Sequence, residues 1–435
     1  MSEGFTIGVE WLKADLDDPV EAQTMAEVSI TVGNENLSRI HDPECGQVTE
    51  GARLPTIGLV DGLVRKWWQL LYEPQRTIDR QPRQNFEHRH RLDAFTPGYV
   101  FPPVGMWSGG ETVMVGLFRA DTRFQAQAFL LPTSFRPQPV ARGKLEDALS
   151  AFVQATIDRL GLINGRAAEL REDWDRVTSS LQRPDEQEWC RNAGRLGLDP
   201  YDPDMFDLGS MTAGISQNLF ADICEAADVP ELFQTCEWTR YVTTRFRSAR
   251  PISVRTFGGP PYRDLSMPGW RNGHDGVQLL RQRLGLPLDP KQALERLFDD
   301  PEDSDLDRVT EIASGTIEGI ARREGSEVRA IVPARSIKQK RFRTCRAAYL
   351  GWRAGSDTDV AVTPAETWRQ QASRAFAAEL LAPAKLIKDR YGKTGLNQNS
   401  VERLSSEWLC PAQIIVHQAN NHRIPVKGVE HAAVF

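Results

Sequence analysis

Several features that would place this chain in a familiar class are missing. No run in its 435 residues approaches the roughly 20 consecutive apolar residues that a bilayer-spanning helix requires. Met1-Ser2-Glu3-Gly4 offers no basic stretch leading into an apolar one, so no secretory signal is read there and a cytoplasmic protein without membrane partners is expected. The six cysteines (Cys45, Cys190, Cys224, Cys236, Cys345 and Cys410) are scattered and form no C-x-x-C pair. That excludes a cysteine-ligated metal of the usual spacing and predicts reduced, mostly buried thiols. There is no G-x-S-x-G elbow, Walker loop or dinucleotide fingerprint, and so no motif for a serine hydrolase, a P-loop nucleotide site or a Rossmann cofactor. Solenoid repeats and low-complexity tracts are absent too.

What remains is the composition of an ordinary globular protein, 40% hydrophobic and 26% charged, long enough for two or three domains. The pattern predicts an α+β protein. Residues 1–140 read as β-rich: Val28–Val32 alternates and ends at Gly33-Asn34, Glu111–Phe118 follows Gly109-Gly110, and Phe124–Leu131 forms a further strand. Leu59–Tyr72 reads as an amphipathic helix against that sheet, with Trp67 and Trp68 in the core. Residues 141–265 read as a mainly helical middle domain. It opens with Leu149, Phe152, Val153, Ile157 and Leu160 at helical spacing and Gly161 as terminator. Gly258-Gly259-Pro260-Pro261 makes a linker, and residues 266–435 form the third domain.

A net charge of −6 gives no general case for nucleic acid, but its distribution is uneven. Arg335, Lys338, Lys340, Arg341, Arg343, Arg346 and Arg353 lie in one acid-free stretch, and Arg240, Arg245, Arg247, Arg250 and Arg255 in another. Six acids lie between Asp299 and Asp307 and read as a solvated loop. Acid-free basic stretches create anion-binding fields even on an acidic protein.

The third domain contains Arg341-Phe342-Arg343-Thr344-Cys345-Arg346-Ala347-Ala348-Tyr349-Leu350 and, later, Ala375-Phe376-Ala377-Ala378-Glu379-Leu380-Leu381-Ala382-Pro383. The latter resembles the F-A-A-x-L-L-x-P helix of the ImmA/IrrE zinc metallopeptidases, and the former stands where that family carries R-F-x-x-x-H-E-x-x-H. Pro268-Gly269-Trp270-Arg271-Asn272-Gly273-His274 is similar to the family's W-x-x-G-Y opening, with His274 in place of Tyr. Short strands at Ile317–Ala321 and Val328–Val332 fall in the order the family implies. H-E-x-x-H works because two imidazoles one helical turn apart hold Zn²⁺ while the glutamate activates bound water. Here Arg346 and Leu350 occupy the histidine positions and Ala347 the base position, and the candidates for the third ligand are Gln370 and Ala372. None supplies an anionic or imidazole ligand. The resemblance therefore implies a zincin-like α+β domain without zinc, cofactor or catalytic residues, ending in a helix-turn-helix-like pair at Val401–Trp408 and Pro411–Asn421. Thr363, Pro364 and Glu366 predict a capping box that starts the signature helix.

Other candidate sites are weaker. His88 and His90 would share a face on a strand, but no carboxylate set accompanies them. His417 and His422 are five apart, a poor helical spacing for joint ligation. Cys345 is flanked by Arg343 and Arg346 yet shares a stripe with Phe342, Tyr349 and Trp352, which predicts burial. In the last helix Gln413, Gln418, Asn420 and Asn421 could read base edges, but phosphate anchoring is thin until Arg423. The expected function is a non-catalytic binding or scaffold protein. It would hold an anionic partner, nucleic acid or an acidic protein segment, at Arg335, Lys338, Lys340, Arg341, Arg343 and Arg346. The Arg240–Arg255 run is the second basic candidate. The resemblance adds an expected link to regulation, mobile elements or phage defence. The alternative is a divergent active metallopeptidase that cleaves a regulator protein.

Overall fold

Alternating polar and apolar residues build the first sheet: in β2 every second residue of Met25–Val32 is buried. The computed structural model describes residues 4–41, 46–76, 83–119, 135–161, 165–203, 207–246, 251–253, 257–260, 262–265, 267–298 and 316–428. The strand expected at Phe124–Leu131, Cys45, the acidic loop Asp299–Asp307 and, in the second basic run, Arg247, Arg250 and Arg255 therefore fall outside the described residues. The chain divides into two units, Met1–Leu208 and Gly209–Phe435, each with its own apolar core. The boundary lies inside the segment expected as a middle domain.

In the first unit β1 (Phe5–Trp11) runs antiparallel to β2, and the short helix α1 (Pro19–Thr24) between them is capped by Asp18. β2 also pairs with β3 (Glu35–Asn36) and, beyond the small ladder of β4 (Ile40–His41) and β5 (Val48–Thr49), with β6 (Ala52–Pro55). The expected helix at Leu59–Tyr72 is two, α2 (Thr56–Arg65) and α3 (Trp67–Tyr72), broken at Lys66. All six residues of α3 are buried, so it is a central helix rather than an amphipathic one. Trp67 meets Trp174 edge-on at 5.1 Å, and Trp68 Nε1 donates to the Tyr201 hydroxyl at 3.0 Å. α4 (Arg83–His90) precedes a second antiparallel sheet of β7 (Val104–Ser108), β8 (Thr112–Leu117) and β9 (Gln138–Ala141). The unit closes with α5 (Arg142–Leu160), α6 (Gly165–Gln182) and α7 (Pro184–Arg195). Gly161, at φ 56°, ends α5 as its position predicts.

His88 and His90 lie on α4 and not on a strand, and their environments differ: His88 is exposed and His90 wholly buried. His90 Nδ1 lies 2.5 Å from the Met106 carbonyl oxygen and Nε2 3.0 Å from Glu73 Oε2, so both ring nitrogens are engaged. Arg89 clasps the same carboxylate from the other side. This is a brace between α4 and the end of α3.

The second unit begins with α8 (Gly209–Thr212), α9 (Gln217–Ala226) and α10 (Val229–Thr243). Its antiparallel sheet has the order β10-β12-β11-β13, formed by Pro251–Ser253, Glu327–Ile331, Gly319–Glu324 and Asp359–Val362. Between β10 and β11 come α11 (Gly269–Leu284) and α12 (Pro290–Leu297). α13 (Ile337–Arg353) packs on the sheet and is followed, after β13, by α14 (Trp368–Leu381), α15 (Ala384–Tyr391), α16 (Gln398–Glu407) and α17 (Ala412–Asn421). The edge strand β13 is covered from α9, where the buried Asp222 accepts from Ala361 N at 2.8 Å and pairs with Arg369. α11 approaches α14 closely because Gly269 and Gly273 face its backbone; a Cβ at Gly273 would overlap the Ala372 carbonyl oxygen.

Two outcomes follow from these contacts. Burial pushes the Glu73 carboxyl up, but hydrogen bonds and charge from His90 and Arg89 outweigh it and hold the group at about 2, below its ordinary 4.5. A depressed carboxylate stabilises the folded state above its unfolded pKa and loses that contribution as pH falls through the folded one. Glu73→Gln should thus cost about 3 kcal/mol near neutrality. Urea unfolding should show the gap to wild type closing between about pH 4.5 and about pH 2. In the second unit Gly273→Val should lower the thermal midpoint by forcing α11 and α14 apart, at about 2–3 kcal/mol, whereas substitution at Gly259, where an added Cβ meets nothing, should cost less.

Candidate functional site

The stretch Arg341–Leu350 is the middle of α13. The helix starts at a serine cap: Ser336 Oγ accepts from Gln339 N, and Gln339 Oε1 accepts in return from Arg335 N at 2.9 Å. Arg343 and Arg346 follow at i, i+3 and point together at the end of β11. From α14 come Gln370, Ser373 and Arg374, also on one face. The expected cap at Thr363 lies elsewhere: α14 begins at Trp368 with Thr367 as N-cap. The Thr363 hydroxyl caps a local turn to Ala365 N, and its carbonyl is drawn into the site instead.

Arg346 is 2% exposed and organises the polar cluster around it. Its Nη1 donates to Glu318 Oε2, Nη2 to the Thr363 carbonyl at 2.6 Å and to Gln370 Oε1 at 2.8 Å, and Nε to Ser373 Oγ at 3.2 Å. Gln370 in turn spans β13, donating to Ala361 O at 2.7 Å and accepting from Thr363 N at 3.2 Å. One guanidinium thus joins α13, the approach to β11, the end of β13 and α14. Burial draws its pKa down from the usual value while Glu318 raises it.

The surrounding charge is unbalanced. Arg343 reaches the Pro333 carbonyl and Glu318, and Arg374 donates to the Ala365 carbonyl at 2.9 Å. Three guanidiniums therefore converge on the single carboxylate of Glu318, with Glu366 contributing only from a solvent-exposed position. Burial and then the charge of Arg346 push Arg374 down to about 10. It is nonetheless half-buried rather than enclosed, at the edge of this positive cluster.

These residues do not fit zinc. Arg346 has no lone pair to give, Ala347 and Leu350 are packed in the core, and Gln370 spends its oxygen on Arg346 and Thr363 N. The expected basic strip is not one open face either. Arg335 is exposed and Lys338, half-buried, donates to Ser405 Oγ at 2.7 Å, but Lys340, Arg341 and Arg346 are buried because the helix turns them toward the domain interior. Of the second run, Arg240 is tied to the Met211 and Ala213 carbonyls and Arg245 lies over Tyr241; Arg247, Arg250 and Arg255 fall outside the described residues. Cys345 is fully buried, which pushes its thiol up to about 12 against the opposing charge of Arg341. In α17 Gln418 turns inward to Glu379 and the Ala382 carbonyl, so it is not placed to read a base, while Gln413, Asn420 and Asn421 remain half-buried or exposed.

Sequence reading missed Glu318, Ser373 and Arg374. The first precedes a strand, and the other two sit on a helix whose only visible signal was its apolar stripe. It also missed that His274, Glu379 and His422, from α11, α14 and the end of α17, converge with ligand atoms within 4.8 Å of one another, the metal-competent group among the described residues. Compared with protein-family models, with curated proteins and with solved structures, the chain matches none.

If Arg346 is the clamp of this unit, Arg346→Met should destabilise it by about 3–5 kcal/mol, because Glu318, Gln370 and the Thr363 carbonyl each lose one charged donor and the link between their segments. Arg346→Lys should recover little, since one ammonium cannot span acceptors arranged around a planar fork. Urea unfolding of the single variants and of Arg346→Met/Glu318→Gln should show strong coupling between the two positions.

Proposed function

We propose that this chain is a non-catalytic binding or scaffold protein whose C-terminal unit is a pseudo-metallopeptidase of the ImmA/IrrE type. The observation that carries the reading is the Arg346 network. Arg346 and Gln370 stand at a histidine position and at a candidate third-ligand position of the resemblance, and they touch. A fixed guanidinium does there the cross-linking that a metal would do, and supplies neither a Lewis acid nor an activated water. A regulatory or defence-linked setting is what the resemblance adds to this.

The same pocket favours an anionic partner. Arg343, Arg346 and Arg374 outnumber Glu318, and Arg343 and Arg374 are only half-buried. A compact basic cluster suits one or two carboxylates of an acidic protein segment, bound through charge-assisted hydrogen bonds. Duplex nucleic acid asks for basic side chains spread over an extended face, and Lys340 and Arg341 are turned inward. The acidic segment is therefore the preferred partner.

Fluorescence anisotropy of the full-length chain with a labelled oligoglutamate peptide and a duplex oligonucleotide should show salt-sensitive binding of the peptide. Arg343→Gln/Arg374→Gln should weaken it at least about tenfold while folding is retained. Binding that ignores both salt and these substitutions sinks the anion reading. Chelator-sensitive cleavage of an unfolded protein substrate sinks the non-catalytic one.

A further inference from the structure

Glu379 lies in the signature helix, yet its carboxylate turns away from the Arg346 pocket and is held rigidly on its other side. It is 3% exposed. Oε1 accepts from Arg281 Nη1 at 2.8 Å and Gln278 Nε2 at 3.4 Å; Oε2 accepts from Gln418 Nε2 at 2.9 Å and Ala384 N at 3.1 Å. Above it stand two imidazoles from distant parts of the sequence. His274, four residues before Gln278 on α11, brings Nε2 to 3.9 Å from Glu379 Oε2, and Asp275 Oδ1 lies 4.0 Å from its Nδ1. His422, exposed at the C-cap of α17, faces His274 with ring centroids 6.1 Å apart.

We infer that His274, Glu379 and His422 form a binding site for one divalent transition-metal ion of the Zn²⁺ class. Two imidazoles and one carboxylate are a donor set that such ions prefer over Mg²⁺ or Ca²⁺, which take oxygen ligands. The carboxylate is already oriented by hydrogen bonds, as metal-ligating carboxylates are. Donor atoms around a common Zn²⁺ lie about 3.3 Å apart, so closure from the present spacing asks for side-chain rotations on the order of 1 Å. Those rotations fall on the accessible imidazoles, His274 being half-buried and His422 exposed, while the buried ligand stays fixed. Three protein ligands leave the solvent side open to water, and the bound ion ties the end of α17 to α11 and α14.

The site is separate from the Arg346 pocket, and its test reads binding rather than activity. Untagged full-length protein titrated with Zn²⁺ by calorimetry, and with Co²⁺ by visible absorption, should take up one equivalent and gain thermal stability. His422→Ala, at an exposed position, should lower the affinity at least about tenfold and abolish the stability gain. His274→Ala should do the same, and His417→Ala, on the same helix but outside the group, should change neither. Uptake should weaken in acid as protons compete for the imidazoles. Absence of saturable uptake overturns the inference, as does binding unaltered by His422→Ala and His274→Ala or lost equally in His417→Ala.

Discussion

A buried guanidinium has to be matched donor for donor, and the second unit is organised around meeting that requirement for Arg346. Charge taken out of water is stable only when it is paired and its hydrogen bonds are filled. Four groups fill them, drawn from three separate stretches of chain: Glu318 before β11, the Thr363 carbonyl after β13, and Gln370 and Ser373 on α14. That requirement accounts for the late start of α14. Thr363 cannot serve as its cap while its carbonyl is turned to Arg346, so the helix begins at Trp368.

The apolar packing around this clamp needs no charge. Tyr349 lies against Phe376 with rings 5.0 Å apart, Trp352 meets Phe257 edge-on, and α11 closes on α14 where Gly269 and Gly273 remove the side chains. Such contacts supply most of the stability of a core but specify direction poorly. The polar network supplies direction, because its bonds join defined atoms of α13, α14 and the segments flanking β11 and β13. The first unit has a smaller counterpart in Glu73, which holds Arg89 and His90 and thereby fixes α4 against α3 and β7.

How much of this was legible in the sequence depended on the range of the signal. Strands β2 and β8, the helix α5 with Gly161 at its end, and the paired helices α16 and α17 were readable, because alternation, 3.6-residue spacing and terminators act within a few residues. The break at Lys66 and the enclosure of α3 on all sides were not. Trp67 and Trp68 read as core either way, and what surrounds them comes from Trp174 and Tyr201, more than a hundred residues on. The basic stretch from Arg335 to Arg346 was visible as charge, but its exposure depended on which way each side chain left α13.

The sequence by itself determined that the chain is a mixture of helices and strands, that no H-E-x-x-H is present, and that Arg341, Arg343 and Arg346 lie in one acid-free stretch. Those follow from residue identity and short-range geometry. Only the tertiary structure decided that Arg346 is an internal clamp rather than part of an open surface, that Arg374 is its neighbour, and that His274, Glu379 and His422 meet. Burial and long-range pairing depend on which segments pack together. A hydrogen bond between residues 346 and 370, or a histidine brought from 274 to 422, leaves no periodic trace in the chain that makes it.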